Sequence, residues 1–239
     1  PFIFFRDTVN AANPNKHAGM IYASNLCHEI AQNVGFTNLA EEIINEDGTI
    51  TTKTITGDMV TCNLNSISLG RITDEELEEN IALQIRMLDN VISINQAPVP
   101  ESRMTSDKYR AIGLGTSGYH HYLVNHNIQW ESDEHIEAAD KLFENIAYYS
   151  IKASMELAKE KGAYPAFKGS EWETGEYFTR RGYTSDRWKQ LAADVAKYGI
   201  RNGYLMAVAP TGSTSNIANT TAGIDPIFKK FFIEEKKGS

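Results

Sequence analysis

The sequence predicts an α/β fold on two observations. Short runs rich in β-branched and aromatic residues lie between turn signals, and long stretches with apolar residues at helical spacing separate them. Neither an internal repeat nor a low-complexity linker breaks the pattern. The 239 residues suit one large domain or two small ones, with a sizeable core.

The elements follow in order. Phe2, Ile3, Phe4 and Phe5 form an apolar run that needs neighbours to bury it, in a chain that opens at Pro1 without an initiator Met. The expectation is a piece that other polypeptide completes. Asn10, Asn13, Pro14, Asn15 and Gly19 mark a turn-rich stretch before a short strand over 20–24. Glu46, Asp47 and Gly48 form a turn between Ile44 and Ile50, and the Thr-rich alternation over 49–56 predicts a hairpin. Residues 60–64 then read as a core strand carrying Cys62. Thr73 and Glu76 have capping-box spacing, and Leu77, Ile81, Met87, Leu88, Val91 and Ile92 predict a helix to about Ile94. Pro98 and Pro100 end it; residues 109–115 read as a strand running into a Gly-rich turn, with a short helix through Tyr122. A second long helix is predicted from about Asp133 to Lys161, with Ile136, Leu142, Phe143, Ile146, Met155 and Leu157 on its apolar side and Gly162 past its end. Residues 163–184, rich in Gly and aromatics, read as a long surface loop. Asp186 to Tyr198 reads as helix, and residues 204–209 as a buried strand stopped by Pro210.

Composition excludes several function classes. The 41% hydrophobic and 10% aromatic content is globular, and no apolar run approaches the roughly 18 residues that would span a bilayer. The net charge of −8 argues against binding a nucleic-acid polymer, which needs clustered Lys and Arg, but leaves single nucleotides open. Two cysteines, Cys27 and Cys62, are too few for a secreted disulfide scaffold, so a reducing cytoplasm is expected.

Two segments carry chemistry. Ser24, Asn25, Leu26, Cys27, His28 and Glu29 place a thiol between an amide and a carboxylate. In an extended segment alternate positions share a face, so Asn25, Cys27 and Glu29 would bring an orienting group, a thiol and a proton acceptor into one cavity. The bland alternative, that Cys27 is a small buried hydrophobe, stays open on these residues alone. Thr211, Gly212, Ser213, Thr214 and Ser215 follow the last strand; with a helix starting there, N–H groups and hydroxyls would hold a phosphate, or else the segment is an ordinary cap. Gly113, Gly115 and Gly118 match a dinucleotide fingerprint only in spacing. His120 and His121 lack a metal-ligand pattern, so no metal site is predicted. Tyr148 and Tyr149, inside a long amphipathic helix, read as core.

Together these segments resemble the barrel domain of ribonucleotide reductase large subunits, nearly end to end. Asn25-Leu26-Cys27-His28-Glu29 resembles the family's finger-loop signature, within a loop over about 20–30. Thr61-Cys62-Asn63-Leu64 resembles its second cysteine strand. Residues 109–118 resemble its Tyr-Arg-x-Ile-Gly-Leu-Gly segment, residues 210–215 its phosphate-binding turn, and Gly223-Ile224-Asp225-Pro226 a segment that follows.

The resemblance implies part of a ten-stranded α/β barrel, incomplete over 1–239. It implies that Cys27 becomes a thiyl radical that abstracts the ribose 3′-hydrogen, that Glu29 accepts the 3′-hydroxyl proton, and that Asn25 orients the ribose. Ser24 and Leu26 would line the substrate, and Thr211, Gly212, Ser213, Thr214 and Ser215 would hold its phosphates. Cys62 would be half of a reducing dithiol whose other cysteine lies upstream of this sequence; a Cys27–Cys62 pair would quench the radical site and is not expected. No cofactor is expected on the chain. The radical would come from a metal-containing small subunit or, alternatively, from adenosylcobalamin. Implied partners are a ribonucleoside diphosphate, complementing large-subunit polypeptide, that small subunit, and thioredoxin or glutaredoxin; no membrane and no nucleic-acid polymer is expected. The family's upstream allosteric segments, downstream radical-relay tyrosines and C-terminal redox cysteines are absent. The last residues, Lys236 to Ser239, fall where the family's barrel continues. Two other classes stand beside this reading: a non-catalytic nucleotide-binding module indifferent to Cys27, and a structural piece that binds no nucleotide.

Overall fold

The computed structural model describes residues 5–231 and 233. The apolar run over 2–4 and the C-terminal Lys236 to Ser239 lie outside the described residues. The architecture is mixed helix and sheet, as expected. Among the described residues the strands make two separate two-stranded sheets, and they close no barrel.

A short helix, α1 (Arg6–Ala11), leads into turns. The strand expected over 20–24 does not form: its only ladder contact is an antiparallel bridge between Ser24 and Ala31. The hairpin does form. β1 (Asn38–Ile44) and β2 (Ile50–Ile55) pair antiparallel around Gly48, whose φ of 83° suits the tight turn. All thirteen of their residues are exposed, Leu39, Ile43, Ile44, Ile50 and Ile55 included. The hairpin leaves the body at a narrow waist. Gly35 N–H donates to the Asp58 carbonyl at 3.0 Å, and a Cβ on Gly57 would lie 2.2 Å from the Gly35 oxygen.

β3 is Leu64–Ser68, so the strand expected over 60–64 starts where that range ends, and Cys62 sits exposed in the approach to it. β3 runs parallel to β4 (Gly113–Ser117), which starts four residues later than expected. Pro100 does not simply end a helix; it stands at the first turn of another, α3 (Pro100–Tyr109), where its missing N–H costs nothing. Arg110 then adopts a left-handed cap, φ 44°, and delays the strand. Residues 204–209 register only as a bridge, Leu114 with Met206, yet they lie along the free edge of β4. Ile112 N–H donates to the Tyr204 carbonyl at 3.0 Å, Leu114 N–H to Leu205 at 2.8 Å, and Ala207 N–H to Leu114 at 3.0 Å. Close approach explains Gly115: a Cβ there would lie 2.2 Å from the Ala207 oxygen.

The helices α2 (Leu77–Ile94), α5 (Asp133–Lys161) and α8 (Asp186–Tyr198) fall where apolar periodicity puts them. Thr73 N–H donates to Glu76 at 2.9 Å, which is half of the expected capping box. Between β4 and α5 lies α4 (Tyr119–Asn125). The surface loop expected over 163–184 is instead partly folded inward as α6 (Glu171–Thr174) and α7 (Glu176–Arg180), which bury Trp172, Tyr177 and Phe178. Ile81, Ile85, Ile151, Trp188 and Val195 meet these aromatics and the sheet in one core. Beneath it lies Asp89, fully buried, bonded to Arg110 at 2.7 Å, Arg201 at 3.2 Å, Lys161 at 3.2 Å and Asn202 at 3.3 Å. The last helix is α9 (Gly212–Ile217).

Candidate functional site

The Ser24–Ala31 bridge closes a loop that carries Asn25, Leu26, Cys27 and Glu29. The loop is not extended. His28 N–H donates to the Asn25 carbonyl at 3.2 Å and His28 has φ 68°, so side chains fan out from a turn instead of alternating between faces. Of the predicted residues, the Asn25 amide reaches Cys62, and neither Cys27 nor Glu29 lines the cavity those two share. Asn25 Oδ1 accepts from Ile30 N–H at 3.1 Å, which folds the loop onto buried Ile30, and its Nδ2 donates to Cys62 Sγ at 3.5 Å. Ser24 Oγ bonds His28 Nδ1 at 2.8 Å and the Asn25 carbonyl at 3.2 Å. Leu26, at 93% exposed, is the tip, and Cys27 beside it is an exposed free thiol.

The surroundings of Cys62 favour its protonated thiol. Burial raises the Cys62 thiol pKa above its ordinary value; the Asn25 hydrogen bond opposes this, and negative charge at Glu29 and Cys27 pushes the same way as burial. Cys62 therefore feels the charge of the loop residues across from it. Glu29 is half-buried, and its Oε2 makes no hydrogen bond among the described residues. A buried carboxylate oxygen without a donor is costly, and a hydroxyl presented to it would be held. Ser24, Asn25 and Cys62 also line a cavity of about 360 Å³ with Gln32, Asp58 and Glu101.

Sequence reasoning missed the support beneath this loop. The asparagines of the turn-rich stretch are buried side-chain partners: Asn13 Nδ2 donates to Asn33 Oδ1 at 2.8 Å, and Asn33 Nδ2 donates to the Asn15 carbonyl at 2.9 Å and to Tyr109 Oη at 3.1 Å. Tyr204 Oη accepts from Asn33 N–H at 3.2 Å and donates to Asn13 Oδ1 at 3.0 Å. Tyr164 donates to Asn15 Oδ1 at 2.6 Å, and Tyr109 to Asp58 at 3.0 Å, where Lys108 adds an ion pair at 2.9 Å. The one available signal was the density of Asn in residues 10–15 with Asn33 beyond.

The Ser/Thr turn is where a helix starts, as the phosphate reading requires. Thr211 caps α9 in the left-handed region, φ 50°, uncommon for a β-branched residue. Its Oγ1 accepts from Gly223 N–H at 2.7 Å and its carbonyl from Ser215 N–H at 2.9 Å. Ser215 is buried with Oγ donating to the Gly212 carbonyl at 3.3 Å, and Thr214 donates to the Thr211 carbonyl at 3.3 Å; Gly212 and Ser213 are exposed. Arg71, from the short turn after β3, donates to the Ala218 and Asn219 carbonyls at 3.2 and 2.7 Å and ties down the far end of α9. Gly118, the third of the fingerprint glycines, donates to the Thr221 carbonyl at 2.7 Å, and a Cβ there would lie 2.4 Å from Thr220 Oγ1. The fingerprint spacing thus reflects packing. No hydrogen bond among those described joins the cysteine loop to this turn.

His120 stacks on Trp130 and His121 bonds Thr220 at 3.0 Å. Tyr148 and Tyr149 pack against one another, and Tyr148 against Trp188. Among the described residues no group of His, Cys, Asp or Glu could hold a metal ion, and no helix is long and apolar enough to cross a membrane.

Comparison with known proteins bears on the same residues. The family described as ribonucleotide reductase, barrel domain, matches residues 1–239. A protein of Treponema pallidum named ribonucleoside-diphosphate reductase subunit alpha is 55% identical over 100% of this chain and 29% of its own length. Proteins of the same name are 38% identical in Helicobacter pylori, over 98% of this chain and 36% of theirs, and 31% identical in Bacillus subtilis, over 99% and 36%. The chain spans about a third of the length of these relatives.

Proposed function

The chain belongs to the ribonucleotide reductase family, and on that premise we propose that it is the substrate-carrying barrel segment of a catalytic subunit that reduces ribonucleoside diphosphates to deoxyribonucleotides. The observation that carries this is the Asn25 amide, which folds the Cys27 loop with one atom and reaches Cys62 with the other, beside a Glu29 oxygen that lacks a donor. Cys27, as a thiyl radical, takes the ribose 3′-hydrogen atom and becomes a thiol, leaving a carbon radical. Glu29 accepts the 3′-hydroxyl proton, Asn25 orients the ribose, and the 2′-hydroxyl leaves as water. A dithiol that includes Cys62 gives two electrons and two protons and ends as a disulfide; Cys27 then returns its hydrogen atom to C3′ and is a thiyl radical again, while Glu29 returns the proton to O3′. Thr211, Gly212, Ser213, Thr214 and Ser215 hold the phosphates, and Ser24 and Leu26 line the sugar.

The second thiol of that pair and the rest of the ten-stranded barrel belong to complementing polypeptide. The relatives' printed name, subunit alpha, supports a radical from a separate metal-containing small subunit over adenosylcobalamin. Thioredoxin or glutaredoxin, in a reducing cytoplasm, would restore the dithiol. Ribonucleotide reduction by the chain with its complementing polypeptide, radical source and dithiol tests the whole reading. Activity in the mixture that Cys27→Ser abolishes is expected; activity that survives Cys27→Ser would overturn it. Activity with adenosylcobalamin in place of the small subunit would overturn the choice of radical source.

A further inference from the structure

The legs of the cysteine loop meet in a buried polar cluster, and none of its members touches the loop's chemical groups. Asn13 and Asn15 lie on the outgoing leg and Asn33 on the returning one, and the three are 1%, 0% and 0% exposed. Asn13 Oδ1 also accepts from Asn15 N–H on its own leg at 3.0 Å, and the other side-chain amide bonds of Asn13 and Asn33 reach the opposite leg or a tyrosine from the body. Asn13 Nδ2 donates to Asn33 Oδ1, Asn33 Nδ2 to the Asn15 carbonyl and to Tyr109 Oη, and Asn15 Nδ2 to the Gly203 carbonyl at 2.9 Å. Tyr204 Oη spans both legs at once, with Asn13 on one side and Asn33 N–H on the other.

Van der Waals packing alone would give this loop little. Its tip residues Leu26 and Cys27 are exposed, and its buried apolar anchors are Ile21 and Ile30. A fully satisfied buried network is directional: each bond fixes an angle as well as a distance, and breaking one member strands its partners unpaired in low dielectric. From the geometry we infer that Asn13, Asn33 and the hydroxyls of Tyr109 and Tyr204 form a clasp that sets where Cys27 stands, making Asn33 and Asn13 positioning residues for the hydrogen-abstraction step. The inference rests on the proposed role of Cys27. The clasp acts on a reaction that needs reacting atoms held within a fraction of an ångström, and no hydrogen bond among those described joins it to the turn assigned to the phosphates. Its loss therefore falls on the chemical step and spares substrate binding.

The test uses the complete reductase assembled with this chain, comparing Asn33→Leu, Tyr204→Phe, Tyr109→Phe and Cys27→Ser, with rates expressed per folded protein from thermal melts. Asn33→Leu is expected to lower kcat by about tenfold to a hundredfold, the scale of a roughly 1 Å misplacement, with KM for the diphosphate changed less than about twofold. The kinetic isotope effect with a 3′-deuterated substrate should rise, because hydrogen abstraction becomes limiting; loss of folded protein alone leaves that ratio unchanged. The tyrosine variants each delete one oxygen and should fold where Asn33→Leu does not, with a smaller shift in the same two readouts. An unchanged isotope effect with unchanged kcat in the folded variants overturns the clasp while an inactive Cys27→Ser keeps the functional reading. Activity in Cys27→Ser overturns that reading itself, and the clasp with it.

Discussion

The cysteine loop rests on side chains that bond one another, while each bond around the Ser/Thr turn has a backbone group on at least one side. Under the loop, Asn13, Asn15, Asn33, Tyr109 and Tyr204 bond one another in a buried network. Around the turn the partners are carbonyls and amides: Gly223 N–H on Thr211, Gly118 N–H on Thr221, and Arg71 on the carbonyls of Ala218 and Asn219. The difference matches the role proposed for each. Peptide N–H groups at a helix start already point outward together, so a phosphate cradle needs only its chain path fixed. A thiol on an exposed turn has no such inherent aim, and neighbouring side chains must supply it.

Three variants would break or sharpen that contrast. The largest effect belongs to Glu29→Gln in the assembled enzyme, which keeps shape and removes the base. A fall in kcat of about a hundredfold or more is expected, with diphosphate binding by calorimetry unchanged; retained turnover would remove Glu29 from the chemistry. Next comes Asp89→Asn, which probes the buried support where Asn202 Nδ2 donates both to Asp89 Oδ1 and to the Arg110 carbonyl. Burial would raise the Asp89 pKa, but the Arg110 hydrogen bond and the charges of Arg110 and Arg201 outweigh it and hold the carboxyl below its ordinary value. Stability from this carboxylate is therefore present above the unfolded value near about pH 4 and lost as pH falls through the lower folded value. Urea melts should show the variant weaker by about 3 kcal/mol or more at pH 7, with the gap closing below about pH 4; a gap independent of pH would contradict the assignment. The smallest effect is that of Arg71→Ala at the turn. Losing a cation at a helix C-terminus should raise KM about two- to fivefold and leave kcat alone, whereas a kcat loss would mean that the turn, too, aims the reacting groups.

Much of this was legible in the sequence, for reasons that differ by element. The helices α2, α5 and α8 bury one face of a long amphipathic repeat, and that repeat is written at a spacing of 3.6 residues. The hairpin declares itself through Asp47, Gly48 and the Thr alternation. The segment over 163–184 misled because α6 and α7 are four and five residues long, too short for a period to show, while their aromatics are what the core takes. Cys62 was placed in a strand because Val60 and Leu64 flank it, but the pairing with β4 starts one residue later, where the Asn63 carbonyl accepts from Gly113 N–H at 2.9 Å. The residue types at Asn25, Cys27 and Glu29 were legible and their arrangement was not: period-two alternation presumes an extended chain, and a left-handed His28 ends it. The clasp escaped because buried Asn and turn-forming Asn read alike until their partners, up to 191 residues away, are known.

The waist formed by Gly35, Gly57 and Asp58 separates two measures of distance. Along the chain Cys27 and Cys62 stand far apart, yet the exposed arm over 36–57 leaves and re-enters the body at a single point. Contour length in that arm contributes nothing to the spacing of the two thiols, since Asn25 touches Cys62 beneath the waist. A longer, shorter or recharged arm would leave the Asn25–Cys62 contact in place. A spectroscopic label at Asp47 would ride on the enzyme as a passenger, reporting its tumbling and its neighbours while the thiols below go on undisturbed.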